Sequence, residues 1–580
     1  MKNKKYMTSP QAPLKGGVQS DTINSSPFRG LGGQLLVLMA LCLSLASCDD
    51  YLDLEPTNSV SDKLIWTSKA NAQLVVNNMY EDIAYLGNYN SGECLAGMTE
   101  ALTDEFKYGD MTYNSLCYIP SEFAYGGAAT LTTSYVSTYL GSWSTMYRYI
   151  ARVNQSINSL HKYGTFDEDD MAEVEAELRF FRAFYYAELA KKYHKVVLYD
   201  DDMDKYQKDT PLTDEPQVYE FIYQDLKYAA EHLPVSLVPN GRLTSGAAYA
   251  FMSRVMLYGE RWQDAQNAAL QVMEMGYEMP EDLNTPFTPG GQGAILQYCY
   301  NKESVTHSFD NYYAPGGDKE FQKNSIDGGY GTPTQEMVES FELKTGGKPN
   351  WEAWHDVDGV TGTPPYEQLE PRFAFTILYN GAPWKGRTIQ PYVGGADGYA
   401  QWKIETKPAG RSTTGYYLRK LVDETHDFSV DQRCTKPWTA IRYAEVLLNY
   451  AEACYRLGKT EQALGALNQV RTRPAVGLPR LNGLTGDDLM AAIRQERKVE
   501  LAYEGQYYWD MRRWRLAESA FSNYRVHGFR IERKADGTFT YFYVECDTED
   551  RHFPAKMYTT PLPESELSSN KSVEQFPEWN

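Results

Sequence analysis

The stretch AIRYAEVLLNYAEACYRL, Ala440–Leu457, decides the fold. Its polar residues Arg442, Glu445, Asn449, Glu452 and Arg456 recur at alternating steps of three and four, which is one stripe of an α-helix. The remaining positions are apolar or aromatic, so this helix packs against neighbours on several sides. Gly458 stops it. A second helix carries Ala463, Leu464, Leu467 and Val470 at helical spacing and ends before Pro474. Its small residues, Ala463 and Ala466, let the pair approach closely. A helix, a short turn and an alanine-faced partner make the shape of a TPR unit.

A third helix follows. Thr485 with Asp488 reads as a capping box, and the run through Ile493, Arg494, Glu496, Arg497, Glu500, Leu501 and Glu504 ends at Gly505. Tyr507, Tyr508, Trp509, Asp510, Arg513 and Trp514 come next. Charged residues among large apolar ones read here as structural ion pairs, because buried charges need partners whatever the function.

Upstream, the same helical spacing predicts a helix over residues 60–86, and another through Trp143, Tyr147, Ile150 and Asn154, positions read as core. Asp169–Tyr193 reads as a long helix and Val218–Leu233 as an amphipathic one closed by Pro234. Ser245–Met275 repeats the helix-turn-helix shape. Helices are thus expected over about 60–280 and 436–520. Between them a loop-rich insert, about 281–435, is rich in Gly, Pro, Tyr and Trp. Ala294–Tyr300 fits one strand there, and Thr538–Val544 fits a hairpin arm further on. Loops this long in a compact domain are functional or disordered, and the interleaved aromatics argue against disorder.

The chain has 580 residues, 56 Lys and Arg against 77 Asp and Glu, and a net charge of −21. An acidic surface argues against nucleic acid as a partner. The apolar run Leu35–Leu45, preceded by scattered lysines and followed by Leu45–Ala46–Ser47–Cys48, describes a secretory signal peptide over residues 1–47. Eleven residues are too few to span a bilayer. A cut before a cysteine is the lipobox of bacterial lipoproteins, so Cys48 is expected to carry the lipid that anchors the mature chain, 48–580, to a membrane. Cys454, on an apolar helix, is expected to be a buried free thiol. Cys94 and Cys117 are candidates for pairing in an oxidising compartment.

Taken together, Arg442–Glu445–Leu447–Leu448–Asn449–Tyr450–Ala451–Glu452–Ala453, then Ala463…Leu467–Asn468–Val470–Arg471, then Arg494–Glu496–Arg497–Glu500–Leu501–Glu504–Gly505…Asp510…Arg513–Trp514 resemble the C-terminal signature of SusD/RagB-like proteins. Cys48–Asp49–Asp50–Tyr51–Leu52–Asp53–Leu54–Glu55–Pro56 resembles the way many of them begin, and Arg179–Tyr186 resembles their Arg-Ala-aromatic motif. His194–Val197 departs from the Gly-Gly-Val-Pro usual after that motif. The resemblance implies a mostly α-helical SusD-like fold, with TPR-like helix pairs framing a loop-rich, small-strand insert. It implies a lipid-anchored protein of the outer membrane, facing the cell exterior. Such a protein binds a nutrient, mostly an oligosaccharide, and passes it to a SusC-like TonB-dependent transporter. Relatives that take peptides leave a peptide-uptake protein as the alternative.

Catalytic signatures are missing: there is no HExxH, GxSxG, P-loop or complete GxGxxG. The eight histidines show no metal-ligand spacing, and Asp200, Asp202 and Asp204 lack the glycine and glutamate of a calcium loop. No cofactor, metal or catalytic residue is therefore expected. Carboxylate pairs keep a surface glycoside hydrolase among the rivals. A site for uncharged sugar needs ring faces for stacking and amide or carboxylate groups for hydroxyls. Two loop regions supply both. One holds Tyr89, Asn90, Tyr108, Tyr113 and Asn114. The other holds Asn311, Tyr312, Tyr313, Trp351 and Trp354, with Trp384 and Trp402 further off.

Overall fold

The computed structural model describes residues 63–87, 99–108, 121–202, 209–318, 328–401, 411–427, 431 and 433–580, with backbone alone at 84–87. Cys48 and its leader lie outside the described residues. So do Tyr89, Asn90, Cys94, Tyr113, Asn114, Cys117, Asp204 and Trp402.

The main helices are α1 Lys69–Gly87, α2 Trp143–Tyr163, α3 Glu168–Tyr193, α4 Glu215–His232, α5 Ser245–Tyr258, α6 Trp262–Glu274, α7 Tyr443–Arg456, α8 Thr460–Arg471, α9 Gly486–Glu500 and α10 Tyr507–Arg513. Neighbours in sequence pair in space: α2 with α3, α3 with α4, α5 with α6, and α7 with α8. α6 also packs on α7, so two helix pairs separated by the whole insert stack directly. Small residues permit this. Ala265, Ala268 and Ala269 of α6 and Ala451 and Ala453 of α7 are buried. At the end of α5, a Cβ on Gly259 would fall 2.6 Å from Cγ of Tyr219 on α4, so that crossing needs glycine.

Strands are short and scattered: β1 Phe106–Tyr108, β2 Ala294–Tyr298, β3 Gly331–Pro333, β4 Val360–Thr361, β5 Trp438–Arg442, β6 His527–Arg533 and β7 Phe539–Glu545 are the ones that matter here. β1 pairs antiparallel with β3, β5 with β2, and β7 with both β6 and β4. β5 corrects the sequence reading. Ala440–Arg442 is strand, and the helix starts at Tyr443. Backbone pairing with β2 outweighs the helical spacing of those three side chains, and Arg442 at the helix cap stays extended, with φ −135° and ψ 161°.

Two further differences appear in the third helix. Thr485 occupies the N-cap position without a side-chain capping bond. Asp488 is one methylene shorter than the glutamate a capping box uses. The helix also ends at Glu500, before the expected Gly505. Tyr503 adopts φ +62°, and its hydroxyl donates to the carbonyl of Glu105 at 3.0 Å, so a tertiary bond holds the turn open.

Apolar side chains gather into two cores. One lies among the long helices; the other joins β1, the insert and the β6–β7 hairpin around Phe106, Tyr313, Trp351, Tyr366, Trp384, Tyr416 and Tyr541. Buried ion pairs stitch the two together. Arg372 of the insert reaches Glu496 and Glu500 of α9 at 2.5 and 2.9 Å. Arg442 bonds Glu500 and Glu504, Lys420 bonds Glu504 at 2.6 Å, and Arg471 bonds Glu342 and Glu496. Arg442, Arg471, Glu496, Glu500 and Glu504 are charged residues of the signature, and their role here is structural. Each charge of this set is matched by a partner, which is the condition for keeping it inside the protein.

Candidate functional site

The candidate site is built around a five-residue helix, Phe309–Tyr313. Three positions apart, Asp310 and Tyr313 point inward and are buried, while Asn311 and Tyr312 face outward and are half-exposed. Tyr313 shares a hydroxyl–hydroxyl bond of 2.9 Å with Tyr108 at the end of β1. Its ring packs 4.4 Å from Phe309 and 6.2 Å from Phe106, centroid to centroid. Tyr312 leans on Tyr330 at 4.9 Å.

The helix backbone is held from outside as well. The amides of Gly328, Gly329 and Tyr330 donate to the carbonyls of Asn311, Ala314 and Tyr312 at 2.7, 3.1 and 2.9 Å. Gly328 and Gly329 both sit at positive φ, 56° and 58°, a turn that side-chain-bearing residues resist. On the inner side, one oxygen of Asp310 accepts from the amide of Asp423 at 3.0 Å and the other lies 3.0 Å from Nδ1 of His426. Burial would raise the Asp310 carboxyl, but the bond from His426 and its other donors hold it below the ordinary range.

The chain next turns through Pro315–Asp318. Asp318 accepts from the indole of Trp384 at 3.0 Å and from Arg387 at 2.6 Å. Arg387 spans on to Asp397 at 2.7 Å, and Asp397 also takes the amide of Gly317 at 2.8 Å. Burial disfavours the Arg387 charge, but Asp397 and Asp318 reverse that and keep it cationic. A Cβ on Gly317 would fall 2.4 Å from Asp397, so the turn depends on glycine.

Of the rings expected at a ligand, the structure brings Tyr108, Tyr312 and Tyr313 together. Trp351 and Trp354 stand on a separate 3-10 turn, Trp351–Trp354, beside Tyr366 and β7. Tyr108, Tyr313, Trp351 and Trp384 are buried, and their ring faces serve the second core. Tyr312 and Trp354 keep part of their surface outside. Beside Trp354, His355 and His527 stack on opposite faces of Tyr543 at 4.2 and 4.4 Å, each bonded to a glutamate, Glu339 and Glu336.

One cavity has no local sequence signal. A groove of about 440 Å³ is lined by Asp282, Asn284, Phe375, Arg419, Asp423 and Lys436, contributed by separate segments of the insert. Asp423 links it to the helix at Phe309–Tyr313 through the bond to Asp310. A half-exposed ring beside an amide can stack on a sugar and bond its hydroxyls, and a groove of carboxylates, amides and cations can bond hydroxyls of its own.

Helix pairs around a loop-rich aromatic body place the chain among helical-repeat binding folds with a large insertion. Residues 292–579 match the family model described as "SusD family", and residues 50–257 match one described as "Starch-binding associating with outer membrane". The chain belongs to the SusD/RagB-like family. A SusD-like protein of Bacteroides ovatus is 23% identical over 547 residues, covering 91% of this chain and 92% of that one. A solved SusD-like protein of Bacteroides fragilis superposes with a TM-score of 0.75 at 26% identity, covering 90% of this chain and 99% of the other. A laminarin-binding SusD-like protein gives 0.62 at 20% identity, covering 88% and 100%. Among the described residues no helix is long and apolar enough to cross a membrane.

Proposed function

We propose that this protein captures an oligosaccharide at the outer face of the outer membrane, tethered there by a lipid on Cys48, and delivers it to a SusC-like TonB-dependent transporter. The observation that carries the capture step is the helix Phe309–Tyr313. It holds Asn311 and Tyr312 outward while Asp310, Tyr313 and the 328–330 turn fix it from behind. A ring face held rigid in advance loses little freedom on stacking, which is what weak sugar contacts require. Tyr89, Tyr113 and Asn114 are proposed to complete the site, together with Trp354 where the ligand is long. The pattern leaves cutting to other proteins, since binding here rests on rings and hydroxyl partners.

Affinity electrophoresis of the leaderless chain against a panel of soluble glycans, laminarin included, tests the reading. Retardation by at least one glycan, lost in Tyr312→Ala, is expected. No retardation by any glycan, with retention on peptides, would transfer the function to peptide uptake. New reducing ends in the same incubations would establish a hydrolase instead.

A further inference from the structure

Behind the outward face of that helix lie three unlike metal-binding groups. A carboxylate oxygen of Asp310, Nδ1 of His426 and Sγ of Cys434 all lie within 4.8 Å of one another. Asp310 and Cys434 are buried, and His426 is mostly covered. They come from three segments, each fixed independently. Asp310 is placed by its helix. Cys434 is placed by a two-way backbone bridge, His307 amide to Cys434 carbonyl at 3.0 Å and the reverse at 3.2 Å. His426 is placed by Nε2, which bonds the carbonyl of Asp431 at 2.7 Å.

We propose that Asp310, His426 and Cys434 form a zinc site. The carbonyl of Asp431 can only accept, so Nε2 keeps its proton, and Nδ1, which donates to Asp310 in the metal-free cluster, gives up its proton to present a lone pair to the ion. This is how metal-bound histidines are usually oriented by an outer partner. Zinc at about 2.0 Å from nitrogen and oxygen and about 2.3 Å from sulfur needs its ligands roughly 3–4 Å apart. Nδ1 and the Asp310 oxygen are already 3.0 Å apart and Sγ lies within 4.8 Å of both, so closing on an ion is chiefly a movement of the thiol. A thiolate, an imidazole and a carboxylate together select zinc over magnesium or calcium, which take oxygen alone. Water fills the fourth position. Binding releases the Cys434 thiol proton and any proton held between Nδ1 and the carboxylate.

The consequence depends on the capture reading. Asp310 belongs to the helix that presents Asn311 and Tyr312, and Asp423 and Lys436, on either side of His426 and Cys434 in sequence, line the adjoining groove. An ion at this point ties the helix that bears the ring to the segments that line the groove.

The metal is tested without glycan. The leaderless chain is stripped with chelator and titrated with Zn²⁺ by calorimetry and with Co²⁺ by absorbance. One ion per chain is expected, with a thiolate-to-cobalt charge-transfer band and the strong visible bands of four-coordinate cobalt. Cys434→Ser, which keeps nearly the same volume, should lose the charge-transfer band, and His426→Gln should weaken Zn²⁺ by at least about tenfold. Asp310→Asn gives a third arm, and far-ultraviolet circular dichroism confirms that each variant is folded. No saturable binding to the folded wild type overturns the site, as does a charge-transfer band that survives in Cys434→Ser. Glycan retardation measured on the same preparations separates the two readings. An intact glycan response without metal sinks this inference alone, and metal binding without any glycan response sinks only the capture reading.

Discussion

Nζ of Lys107 lies 2.8 Å from an oxygen of Asp547, and neither side chain is exposed at all. Lys107 is in β1, near the start of the described chain, and Asp547 follows β7, near its end. Arg551 closes the other side of the carboxylate at 2.8 Å and also donates to the carbonyl of Ala101 at 3.0 Å. One buried acid thus fastens β1, and with it the Tyr108–Tyr313 contact, to the C-terminal hairpin.

Asp547→Asn would leave two buried cations facing a neutral amide. An uncompensated buried charge costs about 3–5 kcal/mol. The variant is expected to lose that much stability in urea unfolding. Lys107→Met leaves the acid its Arg551 partner and should lose clearly less. Equal losses would mean that the two cations do not share the carboxylate.

Glu452 on α7 makes a different kind of prediction, in pH. Burial would raise its carboxyl, but Arg513, at 2.5 and 2.6 Å from its two oxygens, with the Trp514 indole at 2.8 Å, brings it down to about 2. A carboxyl depressed in the folded state stabilises the fold above its unfolded pKa, near 4.5, and that stability disappears as pH falls toward 2. Glu452→Gln should therefore cost about 3–5 kcal/mol at pH 7 by urea unfolding. The gap to wild type should narrow steadily below pH 4.5. A gap independent of pH would show that the glutamine loses packing rather than charge.

Glu100 has the opposite sign. Burial raises its carboxyl to about 7, even though it accepts from the amide of Gly505 at 2.8 Å. An acid with a raised folded pKa contributes fully below its unfolded value and turns costly as pH rises through 7. Glu100→Gln keeps the acceptor for Gly505 and removes the charge. It should unfold like wild type at pH 4 and gain about 1–3 kcal/mol at pH 8. A wild type equally stable at both values would place Glu100 in contact with water.

These residues also show what the sequence could reveal. The long helices were legible because a 3.6-residue period with Gly and Pro stops is a local signal, and α3, α5, α6, α7 and α8 lie within a few residues of their expected bounds. β5 was not, because its partner β2 lies on the far side of the insert and nothing within Trp438–Arg442 announces it. The candidate site was legible by composition only. Tyr312 and Tyr313 are adjacent and identical, yet one faces solvent and the other the core; a helix of one turn offers no period to separate them. Asp310, His426 and Cys434 escaped any search for metal spacing because each comes from a different segment.

The frame behind Tyr312 can be strained without touching it. A Cβ on Gly331 of β3 would fall 1.9 Å from Cε1 of Phe106, across the β1–β3 pair. The Phe106 ring has little room to retreat, since it packs against Tyr108, Tyr313 and Tyr503 at 5.9, 6.2 and 5.2 Å. Overpacking a filled core costs about 1–3 kcal/mol, and Gly331→Ala should lose that much in thermal or urea unfolding. The displaced ring pushes on Tyr313, so the helix bearing Asn311 and Tyr312 shifts and glycan retardation weakens, although every outward side chain is intact. Adding Phe106→Leu removes the offending edge and should restore part of both losses, a coupling that independent sites would not show. Gly331→Ala with unchanged stability would mean that Phe106 yields at no cost, and the path from β3 to the ring face would fail with it.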